Sequence, residues 1–482
     1  MDNASKILAV ETGVGIGVTD GADKLPLKLM LSRDLKGTAR RFKGISFSTD
    51  LYLKFSETWK VVRGIEWCCA FLLAQVFETM ATFICATEKE TPMRNLPAPV
   101  GKTYTGRQAQ GQPRLLVVDF ARVLAILFMI QGHGLDVLLA PQYRQGAVFE
   151  SWLFLRGLTA PMFFTLSGVS FTLSSLKHWD SYVRPTSRLF CRLRRFGFFV
   201  LLGYALHFPV KSFHDFRYLD AAGWQGWLQV DVLQCIGLTL LFLQMLVWVS
   251  GTPERFAKLA AAASTLMVLF APIAWGIPWT RFLPVGLASY LTAQTGSLFP
   301  LLPWSGYVLF GSALGYVIVR WNWNSASLAR KPWLIGAASL VLAGVCVALF
   351  PLHPYGNINF WTISPGVFLV KSGSVLVLLA LLSWVTRRIA IPQQITRSIA
   401  QESLVIYFVH VCILYGCIWH DGLRQMVGAH LTVLPTLAWI GALLVSMLLL
   451  AWTWSWYKRT EPRISLLART AVIVLAIAYG LT

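Results

Sequence analysis

Residues 117–133, "VVDFARVLAILFMIQGH", begin like a helix entering lipid, yet they hold an acid, a base and an imidazole. An ionisable group at the centre of a spanning helix costs about 2.5–3.5 kcal/mol on insertion scales, so it persists where it pairs or faces a polar cavity. Arg122 and His133 are eleven positions apart, almost three full helical turns, and Asp119 precedes Arg122 by three. All three therefore fall on one stripe of a helix. Asp119 can pair with Arg122 there, and His133 lies about 16 Å further along the axis at the helical rise. One helix presents polarity at two depths.

The rest of the chain supports the lipid reading. Of 482 residues 56% are hydrophobic and only 13% charged, where soluble domains carry about 25% charge. The mean hydropathy is +0.59. The composition describes an all-α, polytopic membrane helix bundle in a lipid bilayer. A span needs roughly 20 apolar residues. From residue 115 onward eleven candidates are expected, near 115–140, 152–176, 196–212, 230–250, 259–278, 301–319, 333–351, 365–385, 398–420, 433–453 and 464–482. The third is short, and Arg469 interrupts the last.

The net charge of +20 belongs to this topology and does not call for nucleic acid. Connections on one side of the expected spans carry eighteen Lys and Arg, six of them in "KHWDSYVRPTSRLFCRLRR" (177–195), against five on the other. The basic side is expected to be cytoplasmic. That places residue 114, and with it the N-terminal side of the bundle, inside, and His133 toward the outside. Eight cysteines form no C-x-x-C and no Cys/His cluster with zinc spacing, so no metal is expected and the thiols read as small buried hydrophobes.

Residues 1–113 read as a basic N-terminal extension to a domain spanning 114–482. No secretory signal pattern opens the chain. Ten Lys or Arg lie between 24 and 63, and the apolar run "GIEWCCAFLLAQVFETMATFICA" (64–86) contains Glu66 and Glu78. Three readings stay open for it: an interfacial helix, an extra span against the charge rule, or sequence upstream of a true start at Met93.

Other spans repeat the two-layer division. Toward the cytoplasmic side lie Asp119, Arg122, the arginines of 188–195 and Glu402; toward the outer side lie His133, Asp136, Arg156, Asp231, Gln234 and Lys371. His410 falls near mid-span in "SLVIYFVHV" (403–411). Each feature has a plainer reading: a structural ion pair at Asp119 and Arg122, a headgroup contact at His133, a topology signal in the arginines, packing at His410, snorkelling at Lys371. Their agreement in depth favours a polar path with a site at each end.

The spacing of Asp119, Arg122 and His133 resembles the first span of the transmembrane acyltransferase superfamily, which includes the acyltransferase type three proteins. "APMFFTLSGVSF" (160–171) resembles the second span, and "SLVIYFVHV" a late helix. "DVLQCIGL" (231–238) and "SLFPLLPWSGYVLFGSALG" (297–315) are more similar to the heparan-α-glucosaminide N-acetyltransferase-like branch. Two departures stand out. Val123 occupies a position that is Gly in many relatives, and the loop 141–151 lacks the His that some branch members use.

The resemblance implies an acyl-CoA-dependent O- or N-acyltransferase. Its donor, acetyl-CoA or another acyl-CoA, comes from the cytoplasm, and its acceptor is a hydroxyl or amine on a sugar or glycan. In that setting Arg188, Arg192 and Arg195 suit the donor's phosphates. Asp119 and Arg122 line the acyl arm's path, and His133 serves as general base or as nucleophile. Asp136 is expected to orient the imidazole or bind acceptor; Gln234, Trp304, Lys371 and His410 are candidates for the acceptor site or channel. The family favours a bacterial inner membrane and leaves a homo-oligomer open. The competing reading is a transporter or flippase, which also places charges inside spans; a non-catalytic relative is the third.

Overall fold

The computed structural model describes residues 116–460 except 211–212, 351–354, 356–358, 390 and 418–419. All of them lie within the unit Ile65–Thr482. The run at 64–86 and the span expected at 464–482 lie outside the described residues.

Helices dominate. In chain order they are α1 (Leu116–Leu138), α2 (Ala147–Arg156), α3 (Thr159–Lys177), α4 (Ser187–Leu206), α5 (Val232–Ser250), α6 (Pro253–Gly276), α7 (Leu301–Arg320), α8 (Ser325–Ala348), α9 (Pro365–Arg388), α10 (Gln393–Gln401), α11 (Ser403–Tyr415) and α12 (Val433–Thr460). Short helical turns fill several connections, and a two-residue antiparallel ladder pairs Gly416–Cys417 with His420–Asp421.

Local sequence sets the helix starts. Thr186 caps α4 by accepting from the Leu189 amide, and Thr252 caps α6 ahead of Pro253. Ser364 does the same for α9 ahead of Pro365. A proline in the first turn gives up only an amide that has no helical partner there.

Eight helices among the described residues are long and apolar enough to cross a membrane, with α2 and α3 together forming one of them. A ninth results if α10 and α11, which meet at a 60° bend, count as one broken span. The expectation of a span at 196–212 falls on α4, a helix whose first half carries Arg188, Arg192, Arg194 and Arg195 and which is not among the eight. The protein is an integral membrane protein, with exposed Leu, Val and Trp side chains along α8 and α12 suited to lipid.

At the centre stands α1, which touches α3, α9, α10, α11 and α12. Ile126, Met129, Ile130 and Val137 on α1 pack with residues of α11 and α12 such as Ile406, Val409 and Met447. Val118, Ala121 and Ala125 pack against α3, α7 and α9. A third buried cluster joins α3 to α4, α5, α6 and α7 through Phe164, Phe171, Phe196, Phe256 and Tyr307.

Between α3 and α7 the backbones nearly touch. A Cβ on Gly168 would fall 1.9 Å from the Val308 carbonyl oxygen, and one on Gly311 would fall 2.0 Å from that of Thr165. Membrane helices lack a hydrophobic drive toward one another, and such small-residue seams replace it with close van der Waals contact. Thr172 Oγ1 adds a hydrogen bond to the Ser312 carbonyl at 2.9 Å across the same seam. Cys235 and Cys412 are buried free thiols, as expected of small hydrophobes.

Candidate functional site

The stripe on α1 is present as read from its spacing. At the end where α1 begins, Asp119 is 4% exposed and its Oδ1 lies 3.8 Å from Arg122 Nη1. Arg122 Nη2 donates to Ser170 Oγ on α3. Ser170 Oγ in turn donates to the Leu166 carbonyl at 2.7 Å. The first two motifs of the sequence thus meet at one polar cluster.

Near the other end of α1, His133 Nδ1 lies 3.0 Å from His410 Nε2 on α11. The ring centroids are 5.2 Å apart and the planes differ by 12°. That separation is close to the largest two imidazoles can show with their nitrogens 3.0 Å apart. The rings therefore meet in line and nearly in one plane, where a nitrogen lone pair points, rather than face to face. His410 is fully buried, and its Nδ1 lies 2.7 Å from the Ile406 carbonyl oxygen one turn back. His133 is half-buried, with the edge of Tyr415 against its ring at 5.7 Å.

Asp136 does not reach the imidazole. Its carboxylate takes both ends of the Arg156 guanidinium, with Arg156 Nη1 2.6 Å from Oδ1 and Nη2 on Oδ2. Arg156 crosses α1 at Gly132, where a Cβ would sit 2.8 Å from its Nε. The pair fixes α2 against the helix that carries His133.

Gln234 is fully buried and serves the start of α5. Its Oε1 accepts from the Asp231 amide at 3.2 Å, and its Nε2 is directed at the Gln229 carbonyl at 3.5 Å. With Asp231 as cap this is a capping box, which satisfies helix-end donors reciprocally. Asp231 Oδ2 also accepts from Tyr407 Oη at 3.3 Å and lies 3.6 Å from His207 Nε2. Tyr407 stands one turn before His410, and their rings meet at 73°.

Trp304 and Lys371 come together. The Lys371 ammonium lies 5.5 Å from the centre of the Trp304 ring, and Trp304 packs against Phe299 and Phe164.

The three α4 arginines expected to meet the donor divide by environment. Arg192 is sandwiched between Phe171 and Tyr182, 3.9 and 4.0 Å from the ring centres. Its Nη2 donates to the Phe171 carbonyl at 3.1 Å and to Ser175 Oγ at 2.8 Å, while its buried Nη1 has no hydrogen-bond partner among the described residues. Arg188 and Arg195 are exposed. Arg188 Nη1 donates to His178 Nδ1 at 3.2 Å. Partial desolvation, and after it the charges of Arg188 and Lys177, holds His178 below its ordinary range, which suits an acceptor nitrogen. Among the described residues no three His, Cys, Asp or Glu gather as a metal site.

Residues 114–350 match the family model described as heparan-alpha-glucosaminide N-acetyltransferase, catalytic, and this segment is similar to that family. No curated protein matches the chain. The matched segment holds Asp119, Arg122, His133 and the α4 arginines, and it stops short of Lys371 and His410.

Proposed function

We propose that the protein moves an acyl group, in the first instance acetyl, from cytoplasmic acyl-CoA to a hydroxyl or amine of a sugar or glycan acceptor on the far side of the membrane. The observation that carries this reading is the His133–His410 pair, whose His133 lies on the same central helix as Asp119 and Arg122 of the Ser170 cluster and about 16 Å along it. An extended thioester arm entering at the cluster suits that separation.

Donor phosphates are assigned to Arg188, Arg192 and Arg195, because guanidinium groups bind phosphate in a fork. At the far end His133 takes the proton of the acceptor O–H or N–H. The acceptor atom bonds to the thioester carbonyl carbon, the C–S bond breaks, and the thiolate leaves as free CoA once protonated. In the alternative two-step course His133 itself carries the acyl group between donor and acceptor. Lys371 with Trp304 offers a cation beside an aromatic face for the acceptor, and Asp136 and Gln234 act by holding α2 and α5 in place. The wider reading is a bacterial inner-membrane protein of eleven spans with its N-terminal side in the cytoplasm. In it residues 1–113 form an extension to the acyltransferase-like domain 114–482.

One observation favours a transporter instead: the broken span at α10 and α11 resembles the interrupted helices of that class. Reconstituted protein given radiolabelled acetyl-CoA on one side and a panel of amino sugars on the other separates the two. Labelled acceptor formed by wild type and absent with a folded His133→Ala variant supports the acyltransferase. Acceptor flux without donor turnover overturns it.

A further inference from the structure

We infer that His410 is a positioning residue that fixes the tautomer of His133, leaving His133 Nε2 as the bare nitrogen that meets the acceptor. The kinetic part of this inference rests on the acyltransferase reading; the tautomer itself does not.

The argument starts at a backbone carbonyl. The Ile406 oxygen can only accept, so His410 Nδ1, 2.7 Å away, carries a proton and donates it. The His410 ring is fully buried and no carboxylate among the described residues is hydrogen-bonded to it, so an imidazolium there would be a buried charge without a counter-ion. In the neutral ring a protonated Nδ1 makes Nε2 the acceptor. Among the described residues the donor on that nitrogen is His133 Nδ1 at 3.0 Å, and the in-line geometry puts its N–H on the lone pair. His133 therefore holds its proton on Nδ1, and its Nε2 keeps a free lone pair with no partner among the described residues. An isolated neutral histidine prefers the opposite tautomer, so the contact with His410 reverses an intrinsic preference.

Two consequences follow for chemistry. Both nitrogens of His410 are occupied, which leaves it none for a substrate. When His133 Nε2 takes a proton, or an acyl group, the positive ring keeps its Nδ1–H on His410 Nε2 and cannot turn. This is the role a carboxylate plays behind the histidine of a serine protease triad, filled here by a second imidazole on a helix 277 residues away in sequence.

The test is nitrogen NMR of the detergent-solubilised full chain with ¹⁵N-labelled histidine. His133 is assigned by its loss in His133→Ala. The expected spectrum has a protonated Nδ1 and an unprotonated Nε2 at His133, and His410→Leu returns the proton to Nε2. A wild-type His133 protonated on Nε2 overturns the inference, whatever the protein does to acetyl-CoA. A substitution series reads the same contact kinetically. Glutamine places an acceptor oxygen where His410 Nε2 stands; asparagine places its amide at the level of Nδ1 and leaves that position empty. His410→Gln is expected to keep most of kcat, while His410→Asn and His410→Leu lose about 100-fold or more with the KM for donor unchanged. Equal losses in Gln and Asn would mean that His410 only packs. A wild type with the expected tautomer and no transfer to any acceptor would remove the acyltransferase reading and leave the tautomer standing.

Discussion

Lys458, near the end of α12, closes on both carboxylate oxygens of Glu402, 2.7 Å from Oε1 and 2.8 Å from Oε2. Glu402 sits at the joint between α10 and α11 and its side chain is 2% exposed. Removing one partner of a buried pair leaves a charge behind and costs about 3 kcal/mol or more. Lys458→Met is therefore expected to lower the melting temperature in detergent strongly. Lys458→Met combined with Glu402→Gln is expected to recover most of the loss. Equal melting of the single and double variants would contradict this.

The α3–α7 seam makes a steric prediction. Gly311→Ala drives a methyl into the Thr165 carbonyl and is expected to cost about 3 kcal/mol or prevent folding. On α8, an added Cβ at Gly344 meets no atom of the described residues within 4 Å, so Gly344→Ala is expected to be neutral or slightly stabilising. Yield of monodisperse protein and thermal unfolding in detergent compare the two.

For donor binding the exposed arginines give the clean variants. Arg188→Ala/Arg195→Ala is expected to weaken acetyl-CoA binding by about tenfold in calorimetry, since each lost charge-assisted hydrogen bond is worth roughly 1.5–3 kcal/mol before exposure to water discounts it. The effect should shrink as salt rises. Arg192→Lys tests the buried guanidinium separately: it keeps the charge but loses the flat stack between Phe171 and Tyr182. It is expected to reduce thermal stability as well as affinity.

At the reacting end, His133→Ala is expected to reduce acyl transfer by about 100- to 10,000-fold with unchanged donor affinity. The melting temperature is expected to fall modestly, because the buried His410 Nε2 loses its donor while its Nδ1 keeps the bond to Ile406. Single-turnover kinetics with acetyl-CoA measures this directly.

Much of this architecture was legible in the sequence because it is local. Asp119, Arg122 and His133 share one helix, so helical spacing alone puts them on a stripe, and the structure keeps Asp119 beside Arg122. Gln234 was open to a better reading: Asp231 with Gln234 three residues on, ahead of an apolar run, is a capping-box pattern. The partners of His133 and Asp136 were not legible. His410 approaches from 277 positions away and Arg156 from 20, and no periodicity encodes which helices meet. Arg192 also read more simply in sequence than it stands, because spacing does not reveal the two rings that enclose it. Span counting met a physical limit at α4, where four arginines in the first half oppose an apolar second half.

The Gly168–Gly311 seam has a mechanical consequence. Two helices in backbone contact at Gly168 and Gly311, pinned further by the Thr172–Ser312 hydrogen bond, have little soft layer there on which to slide. Helices α3 and α7 then behave as a single beam. Compliance must come from joints built differently, and the angled junction at Glu402, where the Lys458 arm reaches in, is the natural elbow. Motion that admits or releases a substrate would bend the frame on the His410 side while the beam keeps Ser170, and with it Arg122, in place.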